Sequence, residues 1–312
     1  MSLKLSIVVP CYNEEEVLHE TSRQLLALLA HLRETEKVDA SSGVYFVDDG
    51  SRDRTWQIIE ELAAQHPEIH GIKLSRNQGH QKALLAGLET APGDALISVD
   101  ADLQDDISVM EEMVDRYHEG FEIVYGVRAK RESDTRFKRW TAQSYYRVLH
   151  FLGVKVVYNH ADYRLLSRRA LESLRQYEEV NLFLRGIVPL LGYRSTQVTY
   201  TRTSRFAGES KYPFGKMLAL AIDGITSFSA VPLRLITITG LTIFFGSMLI
   251  AAWAFWVRTV GDTAVPGWAS TVIPFYFLGG VQLFCIGVMG EYLAKIFEEV
   301  KRRPRYFIET TV

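Results

Sequence analysis

The sequence predicts an α/β domain built on a mostly parallel sheet, followed by two membrane-spanning helices. Short apolar runs of strand length recur at Leu5–Val9, Val44–Val47, Ile69–Leu74, Ala95–Val99 and Glu122–Tyr125. Between them lie segments with helical spacing, Glu14–Arg33, Thr55–Gln65, Gln81–Thr90 and Ser108–His118. Strands that alternate with helices in this way pair in parallel, with helices covering both faces of the sheet. Leu235–Val257 and Val265–Gly290 carry no charged residue, and each is long enough to cross a hydrocarbon core as an α-helix.

Composition excludes several classes. The 312 residues include 35 Lys and Arg against 37 Asp and Glu, 47% hydrophobic residues and two cysteines. A disordered chain, a disulfide scaffold and a collagen-like repeat are ruled out. The near-neutral balance argues against a nucleic-acid partner, which would select a basic face. Cys11 and Cys285 lie far apart in unlike surroundings, so a reducing compartment is expected. The short apolar run after Met1 has no cleavage region and leads into acidic residues, unlike a signal peptide.

Four regions are expected: a soluble domain over 1–211, a juxtamembrane segment over 212–232, two spans within 233–290 (233–257 and 268–290), and a basic tail over 291–312. Lys211, Lys216 and Arg234 precede the first span, and Lys295, Lys301, Arg302, Arg303 and Arg305 follow the second, whereas the connection between spans carries one Arg and one Asp. The positive-inside bias therefore places both termini in the cytoplasm. Met217, Leu218, Leu220, Ala221, Ile222, Ile225 and Phe228 form an apolar face that suits either a helix lying in the headgroup layer or one packed on the soluble domain. Two spans bury little surface by themselves, so association into a homo-oligomer through them is expected.

In a parallel sheet, ligands sit beyond the carboxyl ends of the strands. The first run leads into Pro10-Cys11-Tyr12-Asn13-Glu14-Glu15, which lacks both the glycines of a dinucleotide turn and the Gly-Lys-Ser/Thr of a P-loop. The second ends in Asp48-Asp49-Gly50-Ser51, followed by Asp53 and Thr55. Ser51 or Asp53 could cap the next helix, but two adjacent carboxylates before a Gly turn could also accept hydrogen bonds from a base or from ribose hydroxyls. The fourth ends in Asp100-Ala101-Asp102, then Gln104, Asp105 and Asp106. Asp100 and Asp102 point to one side of an extended segment, as oxygen donors to a hard cation would. Capping is the plainer account of an isolated Asp-x-Asp. The histidines are scattered and give no zinc pattern.

Together, Val8-Val9-Pro10-Cys11-Tyr12-Asn13-Glu14, Val47-Asp48-Asp49-Gly50-Ser51-Arg52-Asp53-Arg54-Thr55 and Asp100-Ala101-Asp102-Leu103-Gln104 resemble the family-2 glycosyltransferases of GT-A fold. With Arg205-Phe206-Ala207-Gly208-Glu209-Ser210-Lys211-Tyr212 and the two apolar stretches, the chain is similar to the polyprenyl-phosphate branch of that family, which includes bactoprenol glucosyltransferases. The resemblance implies a Rossmann-like nucleotide-sugar domain that takes a UDP-sugar, with Pro10, Tyr12, Asn13, Glu14 and Asp49 around the uridine and Asp48 in support. It implies that Asp100 and Asp102 hold the diphosphate through Mg²⁺ or Mn²⁺, with Gln104 near the sugar or the acceptor phosphate. Arg128, Arg131, Arg205, Ser210 and Lys211 would face phosphates. Asp162, in Ala161-Asp162-Tyr163-Arg164, resembles the family's general base; orienting the acceptor, binding sugar hydroxyls, or holding Arg164 or Arg128 are its alternative roles. The implied reaction is inverting transfer of a sugar, glucose first, to polyprenyl (undecaprenyl) phosphate at a bacterial inner membrane. A processive polysaccharide synthase fits less well, because Arg139-Trp140 lacks the Gln of a Gln-x-x-Arg-Trp motif. A membrane scaffold that keeps the fold without turnover is the non-enzymatic alternative.

Overall fold

The computed structural model describes residues 3–128, 160–179, 184–201, 231–260 and 267–312. They fall into two compact units, one holding the sheet together with Arg302–Val312, the other holding two long helices. The sheet has eight strands in the order β7-β5-β6-β4-β1-β2-β3-β8. Strands β1 (Leu5–Cys11), β2 (Gly43–Asp48), β3 (Ile69–Leu74) and β4 (Ala95–Ser98) pair in parallel, linked by α1 (Leu18–Glu34), α2 (Thr55–Gln65) and α3 (His80–Thr90). All seven residues of β1 are buried, which is why it reads as an unbroken apolar run: both of its faces are covered. Helix α1 starts at Leu18, four residues later than the spacing predicts, because Glu14–Val17 form a turn in which the Val17 and Leu18 N–H groups bond to the Glu14 carbonyl.

Register places the loops. Cys11 stands opposite Asp48, and Val8 opposite Ser98, so the carboxyl ends of β1, β2 and β4 open onto one edge. After α4 (Val109–His118), β5 (Ile123–Arg128) lies parallel to β7 (Ser195–Tyr200). Strand β6 (His160–Ser167) inserts antiparallel between β4 and β5, with Arg164 opposite Ser98. Because β6 runs backwards, its first residues, Asp162 among them, lie at the carboxyl edge of the parallel strands. Helix α5 (Arg168–Arg175) follows, capped by the Ser167 hydroxyl, and then comes the short helix α6 (Leu184–Ile187).

Helix α3 approaches the sheet closely at Gly87, where an added Cβ would stand 2.4 Å from Val8 Cγ1 and 2.7 Å from Val47 Cγ2. Gly87→Val overpacks this contact and is expected to cost about 1–3 kcal/mol. A thermal melt of the full chain in detergent checks it.

The segment expected as a basic tail does more than carry charge. Strand β8 (Ile308–Thr311) pairs antiparallel with β3, and Val312 and Gly71 exchange two backbone hydrogen bonds of 3.0 and 2.9 Å. Arg305 and Tyr306 bond to Glu89 on α3, and Arg305 also donates to the Tyr177 carbonyl. Every side chain of β8 is exposed, so backbone pairing holds the strand, and hydropathy carries no sign of it.

The second unit contains α7 (Val231–Val260) and α8 (Trp268–Val300). Among the described residues, one stretch, Leu278–Val300 in α8, is long and apolar enough to cross a membrane by length and composition; Leu235–Leu249 in α7 is a shorter apolar stretch. Both helices expose large apolar side chains, among them Leu249 (73%) and Leu283 (72%). The predicted second span ends at Gly290, whereas α8 runs ten residues further, through Glu291, Lys295, Glu298 and Glu299. The juxtamembrane segment lies outside the described residues up to 230.

Candidate active site

Three loops meet at the carboxyl edge of β1, β2 and β4. The loop after β1 is laced to the loop after β2. Asn13 donates its N–H to Ser51 Oγ (2.9 Å) and accepts from the Arg52 N–H through Oδ1 (2.9 Å), while the Glu14 N–H bonds to Thr55 Oγ1 (2.9 Å). Asn13 takes a left-handed φ of 55°, a conformation that asparagine tolerates better than most residues. Ser51, which reads as a candidate helix cap in the sequence, and Thr55 therefore pin the first loop. Tyr12 is 41% exposed at this edge, an aromatic face left open to solvent.

Asp48 and Asp49 are both buried and have different partners. Asp49 accepts from the Gln78 N–H (2.7 Å) and the Gly79 N–H (2.8 Å), so it anchors the loop that leads into α3. Asp48 accepts from the Ser51 N–H (3.1 Å), and its Oδ2 is buried with no partner among the described residues. Burial pushes both carboxyls above their usual range despite these bonds. Between them and Arg76 the chain needs Gly50: its φ is +67°, and a Cβ there would lie 2.6 Å from the Arg76 carbonyl carbon and the Asn77 nitrogen.

The Asp-x-Asp loop is held from beneath by Thr21, whose hydroxyl donates to the Ala101 carbonyl (2.8 Å). Asp102 Oδ1 accepts the Gln104 N–H (3.2 Å) across Leu103, which has a left-handed φ of 54°. Asp105 is buried and accepts from the Tyr200 hydroxyl (2.6 Å), with Arg128 3.5 Å away; Tyr163 donates to the Asp106 carbonyl (3.0 Å). Loss of hydration pushes Asp100 up, and Asp162, Asp105 and Asp102 add to that shift while His80 opposes it. An electronegative pair of this kind favours a cation.

Behind this loop lies a cluster built on Asp162, which is 5% exposed. Arg185, on α6, binds it with two donors, Nε at 3.2 Å and Nη2 at 3.0 Å. Arg164 on the same strand donates to Oδ1, and Gln81 Nε2 to Oδ2 (2.9 Å). His80 Nε2 stands 3.6 Å from Asp162 Oδ2 and 3.5 Å from Asp100 Oδ1, joining the two carboxylates. Burial alone would raise the Asp162 carboxyl, but Arg185, His80 and Arg164 outweigh it and hold the group well below the usual carboxylate range. The same carboxylates raise the His80 imidazole above its usual value against its own loss of hydration.

The structure thus gathers Pro10, Tyr12, Asn13, Glu14, Asp48, Asp49, Asp100, Asp102, Gln104, Arg128 and Asp162 along one edge of the sheet. Arg131, Arg205, Ser210 and Lys211 lie outside the described residues. The sequence reading missed His80, Gln81 and Arg185. The first two follow β3 through Asn77-Gln78-Gly79, where the rule of looking beyond a strand's carboxyl end already pointed. Arg185 had no local signal, because its partner is 23 residues away and neither residue follows a parallel strand.

A mostly parallel α/β sheet with paired carboxylates at its carboxyl edge, lacking the glycine turns of dinucleotide and P-loop sites, defines a GT-A-like enzyme domain. The chain belongs to glycosyl transferase family 2, whose sequence profile matches residues 6–175, and it is a glycosyltransferase. It is 53% identical to the glycosyltransferase YkoT of Bacillus subtilis strain 168 over 307 residues, covering 98% of this chain and 91% of that one. It is 40% identical to the SfII prophage-derived bactoprenol glucosyl transferase of Shigella flexneri, covering 98% of each chain. It is also 37% identical to the prophage bactoprenol glucosyl transferase homolog of Escherichia coli K12, covering 98% of this chain and 99% of the other.

Proposed function

We propose that the protein transfers glucose, with inversion, from UDP-glucose to a polyprenyl phosphate at the cytoplasmic face of a bacterial inner membrane. The observation that carries this reading is the likeness to bactoprenol glucosyl transferases along nearly the whole chain, apolar helices included, joined to a carboxylate-lined edge suited to a nucleotide diphosphate. In the reaction an oxygen of the acceptor phosphate forms the bond to the anomeric carbon. The bond from that carbon to the diphosphate breaks, and UDP leaves with the electron pair.

Each part of the edge then has a task. Tyr12 presents its ring to the base, and the laced loops at Asn13, Glu14, Asp48 and Asp49 shape the uridine site. Asp100 and Asp102 would hold Mg²⁺ or Mn²⁺. The donor chemistry fits: Asp100 and Asp102 offer two carboxylates on one loop, and Mg²⁺ is commonly held by one or two carboxylates together with substrate phosphates. A divalent cation bound there supplies electrostatic stabilisation of the departing diphosphate. Gln104 lies beside Asp102, where a sugar or acceptor oxygen would come. Asp162 orients its arginines instead of taking a proton. The acceptor, with a second phosphate pKa of about 6, is mostly a dianion at neutral pH and needs no base.

The exposed apolar surfaces of α7 and α8 suit lipid contact and association of copies into a homo-oligomer through these helices, and the Lys and Arg residues flanking the apolar stretches suit two spans with both termini cytoplasmic. The test is UDP release by the full chain in detergent with a panel of UDP-sugars. Release with UDP-glucose that requires both polyprenyl phosphate and a divalent cation is the expected result. Nucleotide binding without release from any sugar would favour the scaffold reading.

A further inference from the structure

We propose that Arg185 binds the phosphate of the acceptor and that Asp162 is its positioning residue. The proposal deepens the transfer reading above and rests on it. Of the two arginines on Asp162, Arg185 is the one that reaches solvent: its side chain is 37% exposed, against 1% for Arg164, and the other exposed member of the cluster, His80 at 40%, spans Asp162 and Asp100. Its direction is set twice. Asp162 takes it through both Nε and Nη2, and α6 is moored at the preceding residue, where the Leu184 N–H bonds to Gln81 Oε1 (3.3 Å) and the Leu184 carbonyl accepts from Arg164 Nη1 (3.3 Å). Gln81 and Arg164 bind Asp162 as well, so one buried carboxylate fixes the arginine, its helix and the start of α3 together.

Position in the sheet assigns the phosphate. The loops of the uridine site follow β1 and β2, whereas Asp162 lies on β6, on the other side of β4 from them. Arg185 therefore stands across the Asp-x-Asp loop from the nucleoside, on the side from which an attacking group would meet a sugar whose diphosphate is held at Asp100 and Asp102. A planar guanidinium with five donors suits a phosphate dianion while still engaging a carboxylate. Asp162 lies buried behind it, and its two contacts with Nε and Nη2 keep the guanidinium in place.

The experiment uses the full chain in detergent, with a short-chain prenyl phosphate as acceptor and UDP-glucose as donor, and measures UDP affinity separately by titration. Arg185→Gln is expected to raise the acceptor KM by about tenfold or more, with UDP affinity changed less than about twofold. Arg185→Lys, which keeps the charge without the fork, is expected to fall between. Asp162→Asn is expected to raise the acceptor KM in the same direction. In acceptor KM the double variant should lose no more than about twofold beyond Arg185→Gln alone, because Asp162 acts on the acceptor through Arg185, while its separate bonds to Arg164 and Gln81 bear on stability. An acceptor KM within about twofold of wild type in Arg185→Gln overturns the proposal. So does a loss confined to UDP affinity, which would place Arg185 on the donor. Should Asp162→Asn fail to bind UDP at all, the two Arg185 variants decide. Wild-type protein that binds UDP but makes no product with the prenyl phosphate defeats the transfer reading, and the proposal with it.

Discussion

Asp102→Ala is expected to lower acceptor-dependent UDP release by roughly 10²- to 10³-fold, the scale seen when a fixed electrostatic partner of the transition state is lost. Two effects must be separated, because Asp102 also closes the turn over Leu103 by accepting the Gln104 N–H. Asp102→Asn keeps a side-chain acceptor for that turn and removes the charge. If Asp102 helps to hold the proposed cation, both variants lose activity and both require far more Mg²⁺ or Mn²⁺ for what remains. If only the turn matters, Asn restores the rate. Uridine monophosphate, which carries no diphosphate, is expected to bind both variants nearly as well as wild type, since the loops after β1 and β2 are untouched. Steady-state UDP release across a metal titration, with a parallel nucleotide titration, checks each point.

The largest stability effect is expected at Asp162. The carboxylate compensates Arg164, a fully buried guanidinium, and removing one partner of a buried pair costs about 3–5 kcal/mol because the other charge is left without compensation. Asp162→Ala should lower the apparent melting midpoint of the full chain by roughly 10 °C. Acid sensitivity follows from the direction of the shift. The native Asp162 carboxyl sits well below its usual range, whereas in the unfolded chain it titrates near about 3.9. Its contribution is therefore complete above about pH 4 and is lost as pH falls through the depressed native value, because the unfolded state takes up the proton first. Melting midpoints between pH 3 and pH 7 are expected to drop more steeply at the acid end for wild type than for Asp162→Ala.

Much of this was legible in the residues. The first four strands and their helices were visible because each central parallel strand is covered on both faces and reads as a short, nearly continuous apolar run, whereas each helix carries one apolar stripe at helical spacing. Rossmann and P-loop chemistry could be set aside on the absence of glycines alone. Other elements left no such trace. Strand β6 carries Asp162 and Arg164 into the interior, and a buried ion pair looks like surface in a hydropathy profile. Strand β8 is polar and held by backbone bonds, so its residues resemble a solvated tail.

By itself, then, the sequence determined the parallel α/β core, the carboxylates at the ends of β2 and β4, and the apolar stretches of α7 and α8, since each depends on residues close together in the chain. Tertiary structure alone decided the neighbours of those carboxylates. It turned β6 against its neighbours so that Asp162 reached the carboxyl edge, brought His80 between Asp100 and Asp162, and set Arg185 against Asp162. Strand register and the pairing of buried charges govern those contacts, and both join segments whose separation along the chain says nothing of their distance in space.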